Sequence, residues 1–134
     1  MSNRIFVDTL FVVAQINQCD QYHEVASALA DQFEGYPLLV TDVVLLEIGN
    51  ALARGFRKEA VEVIENFLTA EEVKVARLTP ALFELAFAEY KTFQDKEWGL
   101  IDCVSFVVMR QEGVSQALTF DHHFEQAGFQ ALMR

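Results

Sequence analysis

The chain has little of what small proteins use when they cannot build a core: two cysteines, two prolines and six glycines in 134 residues. Cys19 and Cys103 cannot make a disulfide framework and read as reduced thiols in a reducing compartment. So few Gly and Pro exclude collagen-like repeats, and no Gly/Ser/Pro linker divides the sequence, so a single domain over residues 1–134 is expected. No apolar run reaches the ~18 residues of a membrane span. The apolar N-terminal stretch, Ile5 to Val13, is broken by Asp8 and has no small-x-small cleavage site. It is not expected to be a signal peptide, and the expected location is the cytoplasm. Basic charge is also scarce: 20 acidic against 10 basic residues give a net charge of −10, where an ordinary nucleic-acid binder would be basic. What is abundant is apolar surface, 52% of residues with 12 Phe, which excludes disorder and supports a full core.

Local patterns predict alternating strands and helices. Arg4 to Asp8 is a short β-branched and aromatic run, a buried strand ending on a carboxylate. Helices follow over Leu10–Ile16 and Tyr22–Phe33, the second stopped by Gly35-Tyr36-Pro37. Leu38–Val40 is a strand; Thr41 or Asp42 caps a helix over Val43–Ala53, with Val44, Leu45, Ile48 and Leu52 as its apolar stripe. A helix over Lys58–Leu68, a strand at Val73–Val75 and a helix opened by Thr79-Pro80, carrying Leu82, Leu85, Ala86 and Phe93, come next. Leu100–Arg110 is apolar nearly all round and predicts a buried helix. A strand over Gln116–Thr119, a short helix from Asp121 and a last strand near Phe129 complete the chain. This alternation implies an α/β three-layer sandwich: a mostly parallel sheet of about five strands, helices on both faces. In such sheets ligands bind beyond the carboxyl ends of the strands, where strand order reverses.

Four acids stand out against that frame. Asp8 and Asp121 each end an apolar strand and open a helix, so each reads equally as an N-cap or as a site residue. Glu47 lies inside the Val43–Ala53 helix, sharing a stripe with Asn50 and Arg54. A lone helical Glu usually belongs to a solvated face, and the short polar face, the strand before it and Asn50 beside it lower those odds somewhat. Asp102 sits in the first turn of the most apolar helix, where it either meets the helix dipole or forms part of a site; the cost of dehydrating a carboxylate favours the site. If the four converge on one sheet edge they repel strongly unless a cation joins them. Oxygen donors without His or Cys at metal spacing favour Mg2+ or Mn2+, and such clusters commonly serve phosphoryl transfer.

In order along the chain, Phe6-Val7-Asp8-Thr9, Thr41 to Leu52, Asp95 to Phe106 and Thr119 to Phe124 resemble the PIN-domain family, in particular its VapC-type toxin ribonucleases. The resemblance spans almost the whole chain. It implies a five-stranded parallel sheet and a metal-dependent endoribonuclease whose acidic quartet is Asp8, Glu47, Asp102 and Asp121, with Asp8 and Asp102 the most direct metal ligands. Thr9 and Thr119 match hydroxyl positions that support the site. It also implies a homodimer, an RNA substrate and a cognate antitoxin. Ile101 stands where relatives often carry Thr or Ser, and Asp42 where Ser is common.

Other features have plainer readings. Arg54, Arg57 and Lys58 form the only local basic cluster, either a solvated turn or a hold on the RNA backbone. Trp98 reads as a hydrophobic lid before it reads as a base-stacking residue. Asp95 reads as a loop cap, His122 and His123 as a helix start, Cys103 as core, and Phe83, Phe87 and Phe93 as core and dimer surface. A phosphoacceptor receiver needs an acidic pair at the first strand and a late Lys, but this strand offers Asp8 alone and no Lys follows Lys96. A haloacid-dehalogenase-type phosphatase needs Asp-x-Asp, against Asp8-Thr9-Leu10 here. A PIN fold kept only as a binding scaffold is the remaining alternative, and it gains nothing from four clustered acids.

Overall fold

A computed structural model describes residues 3–134. Its elements run β1 (Ile5–Val7), α1 (Thr9–Ile16), α2 (His23–Gln32), β2 (Leu38–Thr41), α3 (Asp42–Ala51), α4 (Arg57–Thr69), β3 (Val73–Ala76), α5 (Pro80–Thr92), α6 (Leu100–Glu112), β4 (Gln116–Leu118), α7 (His122–Gln126) and β5 (Gln130–Ala131). The sheet has the order β3-β2-β1-β4-β5, and every pairing is parallel. Both faces are covered, so its central strands are apolar without alternation: Ile5, Phe6 and Val7 are all buried.

Strand order turns back after β3, and the chain re-enters the sheet at β4 on the other side of β1. Right-handed crossovers then put α1–α4 on one face and α5–α7 on the other. The helix contacts agree, with α1 on α2 and α3, α3 on α4, α5 on α6 and α6 on α7. The switch point falls between β1 and β4, so the crevice lies where Asp8 and Thr119 leave their strands.

Local chemistry accounts for most boundaries. The Thr41 hydroxyl caps α3 by accepting from the Val44 N–H at 3.0 Å, and Thr79 caps α5 by accepting from Leu82 at 3.1 Å with Pro80 in the first turn. The α6 helix runs two residues past the expected end at Arg110, because Gly113 adopts φ 66° and closes it, the Val114 N–H reaching the Met109 carbonyl at 2.9 Å. α3 ends two residues earlier than expected, at Ala51. Two expectations about buried faces are corrected. α5 turns Leu82 and Ala86 inward but leaves Leu85, Phe83, Phe87 and Phe93 exposed, so these Phe residues are surface and not core. Val25 of α2 is exposed as well, leaving Ala26 as that helix's buried anchor.

The core centres on α6, whose residues Cys103 to Met109 are all buried. The Phe106 ring meets Trp98, Phe124 and Phe129 with centroids 5.1, 5.1 and 5.7 Å away, tying α6 to α7 and the C-terminal segment. Phe106→Ala removes that hub and should cost about 3–5 kcal/mol of stability. Urea unfolding with an unchanged m value checks this, and a loss below about 1 kcal/mol contradicts it.

Candidate metal centre and active site

Asp8 occupies the N-cap position of α1, yet its side chain makes no capping bond. Its Oδ2 instead accepts a 2.7 Å hydrogen bond from the Thr119 hydroxyl, across the β1–β4 junction. The carboxylate thus turns from its own helix toward β4. Thr119 is fully buried, and its oxygen also accepts from the Asp121 N–H at 3.1 Å, so one hydroxyl connects two of the acids.

Glu47 is half-buried on α3, and its Oε1 accepts from the Thr9 hydroxyl at 2.8 Å. Asp102 reaches back to the start of α6: its Oδ2 accepts from the Gly99 N–H at 2.9 Å and lies 3.3 Å from His123 Nδ1. Asp121 is the N-cap of α7, accepting from the His123 N–H at 2.9 Å. Asp102 and Asp121 thus each bond at the start of a helix, and both lie next to the His123 ring.

The acids couple in pairs, Asp8 with Asp102 and Glu47, and Asp102 with Asp121. Burial pushes the Asp8 carboxyl from 3.8 up to about 7, and the charges of Asp102 and Glu47 push the same way. The Thr119 hydroxyl and the Thr9 backbone N–H pull it back. Asp102 is also raised, first by burial and then by the charge of Asp121, against the opposing pull of the Gly99 N–H and His123. No Lys or Arg forms an ion pair with any of the four among the described residues. The nearby ring nitrogens are those of His123, 3.4 Å from Asp121 and 3.3 Å from Asp102, and His122, 3.8 Å from Asp121.

His123 is the residue that sequence reasoning missed. Adjacent histidines lack metal-ligand spacing, so the pair read as a helix start. The Asp121 N-cap turn folds them back, and donor atoms of Asp121, His122 and His123 lie within 4.8 Å of one another. The usable signal was the N-cap itself, since a cap that accepts from the residue two positions on brings that residue's side chain close.

The other expected residues are placed as follows. Asn50 is exposed, one helical turn beyond Glu47. Arg54, Arg57 and Lys58 sit exposed at the α3–α4 turn and form no ion pair among the described residues. Asp42 turns away, its carboxylate accepting from the Leu78 N–H at 3.0 Å. Ile101 is exposed. Trp98 is buried and its indole N–H donates to Gln126 at 3.0 Å, the lid-like role. Asp95 is exposed and pairs with Lys96 at 3.1 Å instead of capping the loop. Cys103 is core, and burial pushes its thiol up to about 11, so it stays protonated at neutral pH.

A five-stranded parallel sheet with helices on both faces and acids near its switch point defines the class: an α/β fold with an acidic cluster at the sheet edge. Comparison with known proteins narrows it. The chain is 32% identical over 127 residues to the 23S rRNA-specific endonuclease VapC20 in two strains of Mycobacterium tuberculosis, covering 93% of this chain and 95% of the relative. The crystal structure of M. tuberculosis VapC20, described as a sarcin–ricin loop cleaving toxin, superposes with a TM-score of 0.83 at 31% identity, over 93% of this chain and 95% of that one. FitAcB from Neisseria gonorrhoeae, at 16% identity and a TM-score of 0.64 over 95% of this chain and 94% of that one, shares the fold. No protein-family profile matches the chain. The chain belongs to the PIN-domain family and within it to the VapC-type toxin ribonucleases.

Because folding raises the Asp8 pKa, the folded protein holds this proton more tightly than the unfolded chain does. The metal-free protein carries no penalty from Asp8 below about pH 4; the penalty grows as pH rises toward about 7 and is complete above it. Asp8→Asn removes it. In EDTA the variant should therefore melt at the wild-type temperature near about pH 4 and several degrees higher at about pH 8. Equal melting temperatures at both pH values contradict the raised pKa.

Proposed function

We propose that the single PIN-like domain of residues 1–134 is a Mg2+- or Mn2+-dependent endoribonuclease, the toxin of a toxin–antitoxin pair acting in the cytoplasm. Asp8, Glu47, Asp102 and Asp121 are its catalytic and metal-holding acids, with Thr9, Asn50 and Thr119 in support. The observation that carries the reading is the mutual charge coupling of buried Asp8 with Asp102 and Glu47, and of Asp102 with Asp121, with no Lys or Arg paired to them among the described residues. Such a cluster stabilises the native state only once a cation joins it.

The donor set fits a hard divalent ion: carboxylate oxygens, two of them steadied by hydroxyl donors, with an imidazole at the margin. When bound, such an ion supplies positive charge against the scissile phosphate and lowers the pKa of an attacking water. The chain's own residues then have defined tasks. Thr119 holds Asp8 in one rotamer, and Thr9 does the same for Glu47 from the neighbouring helix. His123 Nδ1, 3.3 Å from Asp102 Oδ2, sits where it can orient that carboxylate. Arg54, Arg57 and Lys58 hold the RNA backbone electrostatically.

The relative's stated substrate makes 23S ribosomal RNA the first RNA to test. VapC kinship supports a cognate antitoxin as partner, and the stacked, exposed Phe83–Phe87 pair on α5 supports a homodimer through that face. Among the described residues no helix is long and apolar enough to cross a membrane.

Purified protein should cut ribosomal RNA with millimolar Mg2+ or Mn2+ and stop in EDTA. Asp8→Asn and Asp102→Asn should each lower the rate on the order of 100-fold or more. Undiminished cutting by the double variant contradicts the assignment. Millimolar Mg2+ should also raise the melting temperature of the wild type over its value in EDTA. No shift across that range favours a scaffold.

A further inference from the structure

Beyond the acids, the α5–α6 connection encloses a cleft of about 460 Å3 that the quartet does not use. Trp98 and Phe93 form its aromatic wall, their centroids 5.2 Å apart, with Tyr90 beside them and Lys91 and Lys96 on its lining. Its size falls in the range of small-ligand pockets. Trp98 is held in place from behind: its ring packs against Phe106 at 5.1 Å and its N–H is fixed on Gln126. Phe93 and Tyr90, by contrast, are 40% and 45% exposed, presenting ring surface to whatever enters.

This cleft adjoins a second cavity on the His123 side of Asp102. That cavity, of about 320 Å3, shares Lys96 and Glu97 with it and is lined on its other side by His122, His123 and Gln126. His123 in turn faces Asp102. Charge singles out the same path. In a chain with twice as many acids as bases, two of the ten basic residues, Lys91 and Lys96, lie on this one cleft with Glu97, and Lys96 reaches Asp95 on the adjoining cavity at 3.1 Å. Exposed aromatic faces combined with lysines are the chemistry of a single-stranded nucleic-acid platform, rings taking bases and ammonium groups taking phosphates.

We propose that the α5–α6 cleft is a nucleobase subsite of the active centre: Tyr90 and Phe93 stack a base of the RNA strand a few nucleotides from the scissile bond, while Lys91 and Lys96 meet its flanking phosphates. The inference rests on the ribonuclease reading and deepens it by locating where the substrate strand leaves the acids. It makes the base at one position along the strand a determinant of target choice.

Trp98 is the chain's sole tryptophan, so its fluorescence reports on this cleft. A short single-stranded oligoribonucleotide titrated into the Asp8→Asn protein in Mg2+ should quench Trp98 saturably. Tyr90→Ala and Lys96→Glu should each shift the midpoint by roughly tenfold. In the enzyme with Asp8 intact, the same two changes should raise KM by a similar factor with kcat within about twofold, and Tyr90→Phe should restore it. If RNA is bound by anisotropy and cut while Trp98 fluorescence and KM stay unmoved, the subsite is wrong and the ribonuclease reading stands. If RNA is neither bound nor cut with either metal, that reading fails and the subsite with it. If Tyr90→Ala changes the sedimenting mass but not KM, the cleft is a protein–protein surface and the proposal is overturned.

Discussion

A single hydrogen bond, from the Thr119 hydroxyl to Asp8, spans 111 residues of sequence and organises the crevice. It exists because β4 pairs in parallel with β1, setting Leu118 level with Val7 so that the next residues leave the sheet side by side. Everything at the site depends on that pairing. The α6 helix, entering the sheet just before β4, brings Asp102; the turn after Thr119 brings Asp121 and, through its cap, His123. From the opposite layer, α1 and α3 pack together and bring Glu47 against Thr9.

The arrangement works against the stability of the empty protein. Burial and like charge together hold Asp8 near neutrality in its protonation equilibrium, so part of the folding free energy opposes ionisation of the acids. Proteins tolerate such conflict where a site requires it and offset it elsewhere. Here the offset is the apolar centre: α6 buries seven consecutive residues directly after Asp102, and three aromatic rings close on Phe106. The same helix thus holds a charge at its first turn and the core along the rest of its length. That is why Asp102 looks anomalous in sequence and ordinary in the fold, where it caps α6 through the Gly99 N–H.

The net charge of −10 takes on a different meaning in this setting. A broad basic surface is absent, but the acids are not spread evenly either. Asp8 couples to Asp102 and Glu47, and Asp102 to Asp121, while Lys91 and Lys96 line the α5–α6 cleft and Arg54, Arg57 and Lys58 sit at the turn after the Glu47 helix. On the proposed reading, attraction for phosphate is local, arising from a cation held by the acids and a handful of side chains, and not from the field of the whole molecule.

Much of this was legible before any fold was known, and the reason is physical. Strand and helix signals are local, so the order of elements, the caps at Thr41 and Thr79 and the buried nature of α6 could be read from neighbouring residues. The four acids could be flagged because a carboxylate beside apolar residues carries a desolvation cost wherever the chain goes. What local sequence does not encode is which strand lies beside which. Only tertiary structure decided that β4 returns to β1, that the Asp8 carboxylate serves Thr119 and not its own helix, that Asp42 turns aside to Leu78, and that Phe83 and Phe87 lie outside the core. It also decided the role of His123, whose closeness to Asp102 joins two helices 21 positions apart in the chain. Amino-acid chemistry determined that this protein must bring charge to the edge of an apolar sheet; the parallel pairing of distant strands determined which charges meet there.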